Sequence, residues 1–155
     1  MIELIEKIQP TGEMDDTITL AYELRQKSRQ RVQLDSGRQA ALVLPPGTVL
    51  DDGDCLRAAD GTAVRVCAAT EIVATACTDE PLRLARACYH LGNRHVPLQI
   101  GDGWVRYQRD HVLDAMLRGL GLTVIHESAR FEPDRGAYHG RGHAHDSSAA
   151  HEHPH

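Results

Sequence analysis

Residues 89–100 read Tyr-His-Leu-Gly-Asn-Arg-His-Val-Pro-Leu-Gln-Ile and mark a corner between a helix and a strand. Gly92 is predicted to end the helix, because glycine readily adopts the positive φ that many helix C-termini require, and Asn93 tolerates the same conformation. Pro97 cannot continue a helix and is expected to open a strand. His95 is therefore predicted to lie exposed on a turn, and the chemistry of the chain is expected at this corner.

The sequence on both sides of the corner predicts one domain over residues 71–136, in the order strand, helix, strand, strand, helix, strand. Apolar residues at helical spacing indicate the two helices, the second with Asp110 as its N-cap. The triplet Gly101-Asp102-Gly103 is typical of a tight hairpin. Strands are expected at 71–76, 97–100, 104–107 and 122–127. Two helices over one antiparallel sheet form a ferredoxin-like arrangement.

Residues 1–70 are predicted to form a separate, small, β-rich domain. Turn-forming residues interrupt this half every eight to twelve residues, as at Pro45-Pro46-Gly47, and that spacing is typical of all-β units. The runs between the turns have high strand propensity, at 17–22, 32–34, 40–44 and 63–66. The chain is therefore expected to be an α+β protein of two domains, and the first domain is a candidate for binding a peptide or partner.

A row of cations in this half alternates with neutral residues, at Arg25, Lys27, Arg29 and Arg31. If the segment is extended, the period of two places all four cations on one face of a strand. A solvated strand or loop would carry the same pattern. The alternative hypothesis is a docking strip for an acidic partner surface.

The composition excludes several classes of protein. Seventeen basic residues against 22 acidic ones give a formal charge of -5, which argues against nucleic-acid binding through bulk charge. The first residues have no signal-peptide pattern and no apolar run could span a bilayer, so a cytoplasmic protein without a membrane partner is expected. The four cysteines form no Cys-x-x-Cys pair and are predicted to be reduced and buried. An enzyme is not expected, because the sequence has no phosphate-binding loop and no nucleophile elbow.

Six of the ten histidines fall within the last 17 residues. Imidazole is largely unprotonated at neutral pH and binds nickel, copper and zinc. Small and polar residues surround these histidines, so residues 137–155 are predicted to be a disordered tail with the metal ligands His139, His143, His145, His151, His153 and His155. A cloning tag or an inert low-complexity end is the alternative, although a tag is normally a block of consecutive histidines.

Three blocks of the second half, residues 89–100, 110–117 and 131–138, resemble the nickel metallochaperones of urease maturation. The first contains the Gly-Asn-Arg-His core, the second reads Asp-His-Val-Leu-Asp-Ala-Met-Leu, and the third reads Phe-Glu-Pro-Asp-Arg-Gly-Ala-Tyr. The resemblance implies a homodimer in which His95 faces its twin across a two-fold axis, so that two chains form one Ni(II) site. Our hypothesis is that tail histidines occupy the remaining positions of this site. A second histidine pair of some family members corresponds here to Arg109 and His111, of which only His111 can ligate a metal.

The resemblance also implies a function. The protein is expected to bind Ni(II) as cargo and to deliver it to the urease maturation complex, with a GTPase and the urease apoprotein complex as partners. The residues themselves would accept Zn(II) or Cu(II) at least as readily, so the choice of nickel depends on the resemblance. Two alternatives stay open: a cytoplasmic nickel or zinc buffer in which the tail is the function, and a peptide-binding chaperone module for urease apoprotein.

Overall fold

The N-terminal half of the chain forms the first sheet in a computed structural model that describes residues 1–10 and 12–136. Its strands are β1 (Ile2–Ile8), β2 (Asp16–Leu20), β3 (Arg29–Gln33), β4 (Gln39–Val43), β5 (Cys55–Ala58) and β6 (Ala63–Ala68), and the short helix α1 (Tyr22–Arg25) lies between β2 and β3. The strand order is β2-β6-β5-β1-β4-β3. The pairs β1 with β4 and β2 with β6 are parallel, and the other neighbours are antiparallel.

Alternate side chains of these strands form the first core. In β4, Ala40 and Leu42 are buried, and in β6 the buried residues are Val64, Val66 and Ala68. This period of two is expected when one face of a sheet is packed and the other is exposed. The core is aliphatic, in keeping with an aromatic content of only 4%.

The C-terminal half forms the second sheet. Its strands are β7 (Thr70–Cys77), β8 (Leu98–Gly101), β9 (Trp104–Gln108) and β10 (Thr123–Arg130), and its helices are α2 (Pro81–Asn93) and α3 (His111–Gly119). The strand order is β10-β7-β9-β8, and every neighbouring pair is antiparallel. Leu91 of α2 and Leu117 of α3 share one core cluster with Tyr107 of β9, so both helices pack on the same face. No helix within the described residues is long and apolar enough to cross a membrane.

The predicted mixture of helices and strands in a two-part layout is confirmed, but several boundaries differ. Tyr22 begins α1 instead of ending a strand, because its N–H bonds to the carboxylate of Glu71 at 2.9 Å and its ring packs on Phe131. The strand β10 continues to Arg130 instead of ending at residue 127. Asp110 caps α3 as predicted, since its side chain accepts hydrogen bonds from the backbone N–H groups of Val112 and Leu113.

The cysteines are free, but the prediction that they are buried is wrong for most of them. Cys55 is buried, Cys67 and Cys88 are half-buried, and Cys77 is exposed. Cys77 is the last residue of β7. Side chains of a strand alternate between its two faces, and it is the preceding residue, Ala76, that points into the core. Its side chain therefore lies on the face of the sheet without helices.

The two sheets meet at a junction around Phe131, which follows β10 and is fully buried. The ring of Tyr22 packs edge-on against Phe131, with ring centres 5.4 Å apart. Arg25 is only 2% exposed and donates hydrogen bonds to the carbonyl oxygens of Leu50 and Phe131. The prediction that Arg25 belongs to an exposed row of four cations is therefore wrong, because the helix α1 breaks the period of two and turns this side chain into the junction.

Candidate metal centre

His95 lies exposed on a turn just after α2, as the sequence predicts. The prediction that Gly92 ends the helix is wrong. The helix continues through Gly92 to Asn93, because the N–H groups of Arg94 and His95 still bond to the carbonyl oxygens of Leu91 and Gly92 at 3.1 and 3.0 Å. The residue that leaves the helix in the left-handed conformation is His95 itself, with a φ of 59°.

The backbone of His95 is unusual. Within residues 1–10 and 12–136, it is the only residue other than glycine that has a positive φ. This conformation costs a side chain with a Cβ about 1–2 kcal/mol, although histidine adopts it more readily than most residues. Strain of this kind is concentrated at functional sites. The location also suits a cation, because the C-terminus of the 13-residue helix α2 carries a partial negative charge.

A second apolar face of α2 points away from the core and ends close to His95. Leu82 and Tyr89 are 61% and 66% exposed, whereas Ala87 and Leu91 on the core side are fully buried. Large apolar side chains exposed in a row mark a surface for protein contact. We call this row the α2 stripe. It consists of residues spaced three or four apart, which places them on one face of the helix: Leu82, Ala85, Tyr89 and Gly92.

The other predicted ligands are not brought together with His95 in the described part of the chain. His111 is exposed at the first position of α3, and Arg109 before it is exposed as well. In residues 1–10 and 12–136, no group of three or more His, Cys, Asp or Glu side chains could hold a metal ion. The predicted tail ligands lie outside the described residues, namely His139, His143, His145, His151, His153 and His155.

A buried polar cluster in this domain escapes prediction from the sequence. Asp114 of α3 is 3% exposed; its Oδ1 accepts a hydrogen bond from the Tyr107 hydroxyl at 2.7 Å, and its Oδ2 lies 2.7 Å from Nε2 of His126. The carboxylate therefore ties the helix to β9 and β10. The one signal in the sequence is that Asp114 stands three residues before the core residue Leu117, and hence on the same helical face.

The cluster fixes the protonation of two of its members. Burial by itself raises the pKa of the Asp114 carboxyl, but the hydrogen bonds from Tyr107 and His126 and the charges of His126 and Arg118 outweigh burial, so this pKa is lower than usual. Burial and the contact with Asp114 raise the pKa of the Tyr107 hydroxyl far above its usual value. Asp114 is therefore an ionised acceptor at neutral pH, and Tyr107 is a donor.

We expect the stability that Asp114 contributes to be lost in acid. Its pKa is lower in the folded protein than in the unfolded chain, so the contribution is complete above about pH 4 and disappears as the pH falls through the folded value. Asp114→Asn should lower the free energy of unfolding by about 1–2 kcal/mol at pH 7, and by less at pH 3. Urea unfolding at both pH values measures the difference. A cost that is the same at both would contradict an ionised Asp114.

Comparison with known proteins shows the family of the chain. Family models of the UreE urease accessory protein match it throughout, the N-terminal domain at residues 1–69 and the C-terminal domain at residues 70–155. A urease accessory protein UreE from Alkalilimnicola ehrlichii is 59% identical over 140 residues, which cover 90% of this chain and 86% of the relative. Proteins of the same name from Teredinibacter turnerae and Vibrio parahaemolyticus are 51% and 53% identical, over 92% and 89% of this chain and 94% and 84% of the relatives. The chain therefore belongs to the UreE family of urease accessory proteins, which are accessory chaperones and not enzymes.

Proposed function

We propose that this protein is a cytoplasmic homodimer that binds Ni(II) and delivers it to the urease maturation complex for assembly of the urease active site. The observation that carries the proposal is the position of His95, an exposed imidazole on a left-handed corner at the end of the α2 stripe. One imidazole supplies one ligand, whereas Ni(II) in a protein takes four or more. A site at His95 therefore needs an imidazole from a second chain, with water or tail imidazoles in the remaining positions.

A second copy of the chain is the proposed source of the second histidine. In a two-fold dimer a surface patch meets its own copy, so a residue near the axis lies beside its twin. The α2 stripe suits this role because its exposed Leu82 and Tyr89 would be buried against the other copy. His95 follows the stripe directly, so a two-fold axis near this end of the stripe would bring two imidazoles and two helix C-termini together around one cation.

The remaining roles follow from this arrangement. Residues 71–136 would be a ferredoxin-like domain for metal binding and dimerisation, a description supported by the strand order β10-β7-β9-β8 and by two helices on one face. The histidines of residues 137–155 would complete the coordination, with His111 as a further candidate ligand. Residues 1–70 would serve partner binding. Zn(II) and Cu(II) are expected competitors for the site, and a GTPase of the urease activation complex is the proposed recipient of the metal.

A calorimetric Ni(II) titration tests the proposal on a chain ending at Tyr138, which retains every described helix and strand. We expect one ion per two chains, and we expect His95→Asn to abolish this binding. Asparagine is the chosen replacement because it accepts a left-handed backbone and so retains the corner. The control is His90→Asn, which replaces an exposed histidine within α2. This variant should bind nickel as the parent does.

Light scattering should show dimers of all three chains before the titration. Nickel binding that is unchanged in His95→Asn would contradict the shared site. Binding that appears only in the full-length chain, with a capacity that follows the number of tail histidines, would favour the buffer. Binding of urease apoprotein that is unchanged by loss of both the tail and His95 would instead favour the peptide-binding chaperone module.

A further inference from the structure

The structure leaves two of the four alternating cations on a regular strand. Arg29 and Arg31 are exposed on β3, which is the last strand in the order of the first sheet. The pairing of β3 with β4 runs without interruption from Arg29 to Gln33. We call residues 29–33, with the side of the strand that faces away from β4, the β3 edge.

The backbone of the β3 edge offers hydrogen-bonding groups in a fixed pattern. The N–H of Leu34 donates to the carbonyl oxygen of Arg38 at 2.8 Å, and the carbonyl oxygen of Ser28 accepts from the N–H of Leu44 at 2.9 Å. In an antiparallel ladder, residues bonded to the neighbouring strand alternate with residues whose N–H and C=O point outward. The even-numbered residues therefore bond to β4, and the outward groups belong to Arg29, Arg31 and Gln33. The next outward N–H, that of Asp35, already donates to the carbonyl oxygen of Thr17 in β2 at 2.8 Å, so the open part of this edge ends at Gln33.

The charges of this edge have no internal counterpart. Neither Arg29 nor Arg31 makes a salt bridge within residues 1–10 and 12–136, although other arginines there, such as Arg57 and Arg106, do. Their side chains stand on the same face of the sheet as Val43 and Ala41, their cross-strand partners in β4. Two exposed cations thus stand two residues apart on the edge strand of a chain whose formal charge is -5.

We propose that the β3 edge binds an extended acidic segment of a partner protein as an added strand. The outward N–H and C=O groups would form the ladder, as in other cases where a peptide extends a sheet. Side chains of an added strand alternate between faces, so carboxylates two residues apart, at i and i+2, would stand beside Arg29 and Arg31. The chemistry of the partner is therefore specific: an extended segment with Asp or Glu at every second position.

Two peptides of equal composition test this periodicity on the full-length protein. One is Thr-Val-Glu-Val-Glu-Val-Thr with blocked ends, and the other has its two glutamates adjacent, so that they fall on opposite faces. Fluorescence anisotropy of dye-labelled peptides at low salt should show binding of the first that is about fivefold tighter than that of the second, since only one of two adjacent glutamates can face the arginines and one cross-strand charge pair is lost. Binding of the first peptide should weaken as salt is raised.

Three variants separate the contributions of charge and backbone. Arg29→Gln and Arg31→Gln should each weaken binding about fivefold, whereas Arg109→Gln, an exposed arginine of the other domain, should not. Gln33→Pro removes an outward N–H without removing a bond to β4, so it should also weaken binding of the peptide. Circular dichroism checks that each variant is folded. Equal affinity for the two peptides, or full binding by the arginine variants, would overturn the proposal, and full binding by Gln33→Pro would overturn the added strand.

Discussion

Arg25→Ala is expected to lower the free energy of unfolding by about 3 kcal/mol and to uncouple the two sheets. The Nε of Arg25 donates to the carbonyl oxygen of Leu50 at 3.3 Å, and its Nη2 donates to that of Phe131. Removing the guanidinium leaves both buried carbonyl groups without this donor, at about 1–3 kcal/mol for each group left unpaired. The guanidinium also lies 5.6 Å from the centre of the Tyr22 ring, and this cation–π contact disappears with it.

The uncoupling is measurable because Trp104, the one tryptophan of the chain, lies in the second sheet. In the parent, urea unfolding followed by tryptophan fluorescence and by far-UV circular dichroism should give coincident curves, since the junction joins the sheets into one cooperative unit. In Arg25→Ala the fluorescence should follow the second sheet alone, and the two curves should separate.

Arg29→Ala is the matched control for this prediction. Arg29 is the same type of residue in the same half of the chain, but it is exposed and makes no salt bridge in the described residues. A surface change of this kind usually alters stability by less than about 0.5 kcal/mol. If Arg25→Ala costs no more than Arg29→Ala and its curves still coincide, Arg25 does not hold the sheets together.

Sequence patterns predict this fold well where the local signal and the tertiary environment agree. High strand propensity next to a turn identifies β6, and Asp110 is recognised as a cap because both its residue type and its position suit the start of a helix. The exposed turn at His95 is recognised in the same way, from Pro97 and the end of an apolar helical pattern. The sequence does not show that His95, and not Gly92, is the residue with a positive φ. Glycine is compatible with the last turn of α2 as well as with the turn after it.

The features that the sequence does not reveal depend on residues far apart in the chain. Arg25 and Phe131 are separated by 106 positions, so no local pattern distinguishes this buried arginine from the exposed Arg29 and Arg31. Asp114 looks like an ordinary exposed acid until Tyr107 and His126 are placed around it. The proposed metal site is a further case, since its remaining ligands would come from a second chain and from residues beyond the described part.

Gly101→Ala is expected to lower the free energy of unfolding by about 2 kcal/mol through overpacking. A Cβ at position 101 would clash with Cε2 and Cζ2 of the Trp104 ring. The indole is a rigid plane, so the whole ring has to move away from β8. The guanidinium of Arg106 lies over this ring, 4.5 Å from its centre, and its Nε donates to Oγ1 of Thr75 at 3.1 Å. Displacement of the ring therefore disturbs a set of contacts across the face of the sheet without helices.

Urea unfolding and the emission maximum of Trp104 measure this effect, and the emission should shift to longer wavelength as the ring becomes more exposed. Gly119→Ala is the matched control, because nothing lies within 4 Å of a Cβ at that position in α3 and alanine favours a helix by up to about 1 kcal/mol. The cause is isolated by repeating Gly101→Ala in a Trp104→Ala background, where the cost should largely disappear. A cost of the same size in both backgrounds would show that the ring is not what excludes a side chain at position 101.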